Sequence, residues 1–139
     1  MDNRWINDEY QEIAQELIDE RPELSDLRGA DVQIILLSSE AEKKTGDRLI
    51  YGQCEKVPQK YKWGIPCDFT ITIFDRNISD FSDEQLRILI FHELLHVGID
   101  EDKLYVKKHD LEDFKTIIDL YGTDWDRPGW KQLELDLDQ

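Results

Sequence analysis

His92 and His96 stand four residues apart in the run Phe91-His-Glu-Leu-Leu-His-Val-Gly98, with Glu93 beside the first of them. On an α-helix, positions four apart differ by about 40° around the axis and about 6 Å along it. Both imidazoles then project from one face, close enough to bind one ion. Zinc takes neutral imidazole nitrogens at about 2.0–2.1 Å in a tetrahedral arrangement. Glu93 falls about 60° round the axis from His96, beside the ligand face rather than on it. From there it flanks an open coordination position and can serve as general base toward a water whose pKa the ion lowers to around 7. A charged glutamate in an apolar helix is costly without such a role. The plainer alternative is two packed core histidines with a stray carboxylate.

A catalytic zinc site needs a third protein ligand. His109 is the one other histidine, placed just before a helix that Asp110 would cap. Asp102 is an alternative, because one class of zinc peptidase uses a ligand six residues past the second histidine. That class has its glycine at position 99, whereas here it is Gly98, and it needs a methionine turn, whereas the one methionine is Met1. Glu112 is a second alternative, since another class takes a glutamate from the following helix. Asp110 is also a candidate acceptor behind a ligand. For the donor that would help stabilise an oxyanion, Tyr105, Lys107 and Lys108 are the candidates.

The elements that must position these residues can be read from apolar spacing. Ser82-Asp-Glu-Gln85 is a capping box with two acids in the first turn, opening a helix over 83–97 that Gly98 would end. Leu86, Ile88, Leu89, Ile90, Phe91, Leu94, Leu95 and Val97 surround that helix, which makes it a core helix. An earlier helix is expected over 8–20, stopped by Pro22, and a later one over 110–121, followed by Gly122. Residues 31–38 read as a strand buried on both faces, 48–56 as a strand weakened by Gly52, and 68–74 as the strongest strand. Residues 39–47 are polar with a Gly-Asp turn signal, 57–66 form a loop, and 99–108 form a charged connection. The stretch 123–139 is acidic and carries Trp125 and Trp130.

With 139 residues, 40% of them apolar, the chain has enough material for one domain with a core and too little for two ordinary ones. The net charge of −15 is concentrated toward the start, where residues 1–31 hold ten acids and three bases. Such a surface repels phosphates, so no nucleic-acid partner is expected. No segment approaches the apolar length of a membrane span, and the first residues lack the apolar run of a secretory signal. Cys54 and Cys67 are too few for a disulfide framework and read as buried reduced thiols. A cytoplasmic location is the simplest expectation.

Gly52-Gln-Cys-Glu-Lys-Val57, Asp68-Phe-Thr-Ile-Thr-Ile73, the HELLH run and His109-Asp-Leu-Glu-Asp-Phe114 together resemble the putative phage metallopeptidase family, small proteins of phages and prophages, over roughly residues 30–122. The resemblance implies a minimal zincin with His92, His96 and His109 as zinc ligands and Glu93 as base. It supplies no substrate. The expected fold is therefore a single α+β domain over 1–139, with a core over 8–122 and an acidic tail over 123–139. Its zincin-like core is a small mixed sheet packed on the active-site helix, with a supporting C-terminal helix. The expected activity is zinc-dependent hydrolysis of peptide or protein substrates, and strand 68–74 is expected to border the cleft and hold the peptide by strand addition. Two other readings compete. The His-x3-His pattern is also similar to a zinc-dependent endoribonuclease of bacterial rRNA maturation, which has glycine where Glu93 stands and histidine where Asp102 stands. A strongly acidic phage-type protein can instead bind a host protein or mimic nucleic acid, with zinc only structural. Oligomeric state has no sequence signal.

Overall fold

The computed structural model describes residues 3–61, 63–64, 66–101, 103–108, 117, 120–121 and 125–126. The elements run β1 (Arg4–Ile6), α1 (Asp8–Glu20), β2 (Ile34–Ser39), β3 (Lys44–Thr45), β4 (Arg48–Leu49), β5 (Gly52–Lys56), β6 (Phe69–Phe74), α2 (Asp83–Leu95), β7 (Val97–Asp100) and β8 (Lys103–Val106). The architecture is mixed α plus β. Four strands form the main sheet in the order β1-β2-β6-β5, with β2 and β6 parallel and both outer pairs antiparallel. β3–β4 and β7–β8 are separate hairpins.

Helix α1 starts where Asn7 caps it, accepting a hydrogen bond from the Tyr10 N–H at 3.0 Å, and it stops before Pro22. Its Tyr10, Ala14 and Leu17 are buried against the sheet and α2. Alternation along β6 sends Ile71 and Ile73 to the same helix-covered side, where they join Leu36 of β2. Helix α2 buries Ile88, Leu89, Ile90, Phe91, Leu94 and Leu95 in that core. Each large apolar side chain removed from water there contributes about 1.5–3 kcal/mol. This is why an all-round apolar helix can carry polar groups at fixed positions.

Both helices lie on one side of the sheet. Ile35 and Leu37, on the other side of β2, are half-buried and Ser39 there is fully buried, so the expected burial on both faces holds only toward the end of the strand. On that side, where Thr72 and Ser39 are buried, Arg4 Nη1 donates to Thr72 Oγ1 at 3.0 Å and to Glu55 Oε1 at 2.9 Å, tying three strands together. β2 outruns its three-residue partner β1. Its surplus backbone groups are met by α1 instead: the Asn7 N–H donates to the Leu36 carbonyl, Gln11 Nε2 donates to the Ile34 carbonyl at 2.8 Å, and the Leu36 N–H donates to Gln11 Oε1 at 2.9 Å.

Several expectations change. β6 is a central strand, paired on both sides, so it has no edge to offer a peptide. The edge strand on that side is β5. The candidate strand over 48–56 is split between β4 and β5, and the turn between β3 and β4 is Gly46-Asp47, with Gly46 at φ +62°. The charged connection over 99–108 is a hairpin, since Val97↔Val106, Gly98↔Tyr105, Ile99↔Leu104 and Asp100↔Lys103 pair. Charge masked its alternation. Helix α2 ends at Leu95, two residues early, because the chain turns there into β7. Gly98 is therefore not a helix stop. Of the expected helix over 110–121, Ile117, Leu120 and Tyr121 are described, all helical, and Ile117 is fully buried. The rest of that segment lies outside the described residues, as does Trp130.

Candidate metal centre

The cap of α2 begins the construction of the site. Ser82 Oγ accepts from the Gln85 N–H at 3.2 Å, while the Ser82 N–H donates to Gln85 Oε1 at 2.8 Å. This is the reciprocal capping box expected from the sequence. Gln85 is buried, and its amide has a second use: Nε2 donates to the Trp125 carbonyl at 2.9 Å. Trp125 is thereby anchored to the first turn of α2. Its ring packs on His92, with centroids 6.2 Å apart, and on Phe81, which in turn meets Tyr51. The tail tryptophan thus walls one side of the site.

Two turns further along α2, His92 and His96 face each other with ring centroids 5.2 Å apart. His92, Glu93 and His96 form one cluster, each offering a ligand atom within 4.8 Å of the others. Glu93 is 4% exposed, and its Oε2 is 3.8 Å from His92 Nε2. It points between α2 and β5, where the backbone of Gly52 lies against its carboxylate. Among the described residues this is the one group of three or more potential metal ligands.

His96 is the cap residue of α2 and directly precedes β7, the first strand of the hairpin that follows. Its Nδ1 lies 2.6 Å from the Lys107 carbonyl oxygen, and the Lys107 N–H donates to the His96 carbonyl. A carbonyl can only accept, so Nδ1 carries the proton and Nε2 keeps its lone pair. The donor set therefore suits a divalent ion: two imidazoles on one helix face, one with its tautomer fixed by a main-chain acceptor. Lys107, one of the three candidate donors to an oxyanion, meets His96 through its main chain.

Tyr105 stands opposite Gly98, and its ring lies across the glycine. A Cβ at position 98 would meet ring atoms at 2.5–2.8 Å. Lys108 is exposed. His109, Asp110, Glu112 and Asp102 lie outside the described residues. The neighbours of Asp102, Glu101 and Lys103, close the end of the hairpin remote from His96. Both cysteines are free thiols. Burial, then the nearby Glu93 and Glu55 carboxylates, push the Cys54 thiol up to about 12, so it stays protonated.

β5 completes the site. Tyr51 and Val57, flanking it, make main-chain hydrogen bonds to Phe74 and Asp68. Antiparallel pairing alternates bonded and non-bonded residues. The N–H and C=O groups of Gly52, Cys54 and Lys56 therefore point outward from the sheet. β8 packs alongside β5 without joining its ladder. The residues missed in the sequence are Gly52, Gly98, Trp125 and the Lys107 carbonyl. Only the glycines left a signal, as small residues inside stretches that otherwise read as regular structure.

The family model described as "Putative phage metallopeptidase" matches residues 4–137, which extends the resemblance to β1, α1 and most of the tail. No curated protein and no solved structure matches the chain.

Proposed function

The chain belongs to the putative phage metallopeptidase family, and on that premise we propose that it is a zinc-dependent peptidase of one zincin-like domain, with His92, His96 and His109 holding the ion and Glu93 as general base. The observation that carries the reading is the Glu93 carboxylate, buried beside two imidazoles on one helix, its Oε2 3.8 Å from His92 Nε2. A structural zinc fills all four positions with protein ligands and has no need of a base. When bound, the ion supplies Lewis-acid polarisation of the scissile carbonyl and acidifies water.

The chain's own residues do the rest. Glu93 takes a proton from the attacking water and returns it to the leaving amine. The Lys107 carbonyl holds His96 in the tautomer that leaves Nε2 for the ion. Trp125 keeps water from the flank of His92. Chain reach supports His109 as third ligand: it follows Lys107 by two residues, a span of at most about 7 Å. Position 102 is four residues along the hairpin from Val106, which argues against Asp102. Where β8 leaves the β5 edge open, an extended peptide has its natural place along it, because the outward main-chain groups at Gly52 and Cys54 run past Glu93. Tyr105, Lys107 and Lys108 are the side-chain donors for the oxyanion, on or just after the hairpin that follows His96.

The test is cleavage of a mixed peptide library by the zinc-loaded wild type and Glu93→Gln. The variant is nearly isosteric and should keep its zinc. Its cleavage rate should fall by about 10²–10⁴-fold. Equal cleavage would remove Glu93 from the role of base. Loss of zinc in the variant would make Glu93 a ligand and sink the hydrolase reading.

A further inference from the structure

We propose that Gly52 is a positioning residue for the Glu93 carboxylate, an inference that rests on the general-base reading above for its catalytic consequence but not for its geometry. Gly52 lies in β5, paired with Ile73 of β6. Its φ is not positive, unlike those of Gly29 and Gly46, so conformational freedom does not explain it. A glycine inside a strand weakens the strand and marks a place where another group comes close. Here that group is Glu93. A Cβ at position 52 would lie 3.1 Å from Glu93 Cγ and 3.2 Å from both Cδ and Oε2. Those distances are shorter than ordinary carbon contacts of about 3.5–4.0 Å.

The crowding falls on the working end of the side chain. The oxygen that a methyl group would displace is Oε2, the one 3.8 Å from His92 Nε2. Glu93 is 4% exposed and rises from a packed helix between Phe91 and Leu94, both fully buried. The helix backbone has little room to yield, so the carboxylate must move relative to the imidazoles. β5 thus sets the spacing between base and ligand by what it lacks at one position. Proton transfer is sensitive to sub-ångström displacement of the base.

Melting temperatures test the contact without any assay of activity. They are compared for the wild type, Gly52→Ala, Glu93→Ala and the double variant, all metal-free. Alanine in a strand at an ordinary φ should stabilise the protein. With Glu93 present, Gly52→Ala should instead lower the melting temperature by about 5 °C. With Glu93→Ala, the same substitution should be neutral or stabilising. This change of sign is the signature of the contact. An unchanged or raised melting temperature in Gly52→Ala would overturn the proposal. So would an equal loss in both backgrounds. If Gly52→Ala fails to fold and the double variant folds, the contact stands. If neither folds, position 52 is needed for another reason and the proposal fails.

Kinetics then separate positioning from packing. On a peptide that the wild type cleaves, Gly52→Ala should lose at least tenfold in kcat, with KM within about twofold and zinc content unchanged. Unchanged kcat would overturn the positioning role. Should Glu93→Gln cleave as well as the wild type, the general-base reading is the one that falls, and the melting series still judges the contact by itself.

Discussion

His96 and Lys107 are joined twice, by Nδ1 of the one to the carbonyl of the other at 2.6 Å and by the Lys107 N–H to the His96 carbonyl. The joint extends the pairing register of β7 and β8 by one step, onto the cap of α2. A metal-ligand candidate is thereby clamped by the same hairpin that leads the chain toward His109.

From this follows a difference between two variants. His109→Ala should lower zinc affinity by more than about 100-fold, beyond the 10–100-fold usual for losing an outer partner. Asp102→Ala should leave zinc affinity unchanged. Competition with a chromophoric chelator measures both. Full affinity in His109→Ala together with loss in Asp102→Ala would reverse the assignment.

Gly98→Ala should disturb the clamp. The added Cβ would fall within 2.5 Å of the Tyr105 ring. The ring is 42% exposed and can swing away, so the cost should be about 1–2 kcal/mol. Thermal melting should show the loss in Gly98→Ala and its disappearance in a Gly98→Ala/Tyr105→Ala double variant. An additive double variant would mean the ring is not what position 98 accommodates.

Stability should fall as the solution becomes alkaline. Burial chiefly, with the Glu93 and Glu55 carboxylates, pushes Cys54 up to about 12 from an unfolded value near 9. The folded state then holds a proton that the unfolded state loses. The contribution is complete below pH 9 and is lost as pH rises toward 12, at up to about 1.4 kcal/mol per pH unit. Burial chiefly raises Tyr10, Tyr51 and Tyr121 in the same direction from 10, so the Cys54 effect is read between pH 9 and 10 as the difference between wild type and a variant that lacks the thiol. Denaturant titrations of metal-free wild type and Cys54→Ala over that interval should diverge in slope. Parallel slopes would show that the thiol titrates normally.

Duplex DNA and RNA should not bind at physiological salt, because each phosphate approaches a chain of net charge −15. Titration of labelled duplex checks this. Salt-sensitive binding near micromolar would locate a basic patch strong enough to outweigh the total, with Lys107 and Lys108 the first residues to substitute.

The local rules were legible in the sequence. The apolar face of α1, Pro22 and the Ser82–Gln85 box act through neighbours in the chain, so the bounds of α1 and the start of α2 could be read directly. The face shared by His92 and His96 follows from helix period alone. What could not be read depends on partners distant in sequence. β1 is three residues long and exists because β2 is there to pair with it. Which strand is central depends on which other strands pair on either side of it, and no property of 68–74 encodes that. Trp125 reaches His92 through a hydrogen bond to Gln85, forty positions earlier. The Lys107 carbonyl belongs to every residue type and so leaves no trace in composition.

The side chain of Gln11, bonded to both Ile34 and Leu36, stands where the peptide group of a neighbouring strand would otherwise be. Beyond it β1 is a stub, and short edges are poor templates for further pairing. β5 offers the longer run of outward main-chain groups on the main sheet. Among the described residues, the main sheet consequently has a valence of one toward extended chains. A second copy joining by sheet extension and a peptide lying along β5 would compete for the same row of hydrogen bonds, so crowding the protein with itself should act as a competitive inhibitor.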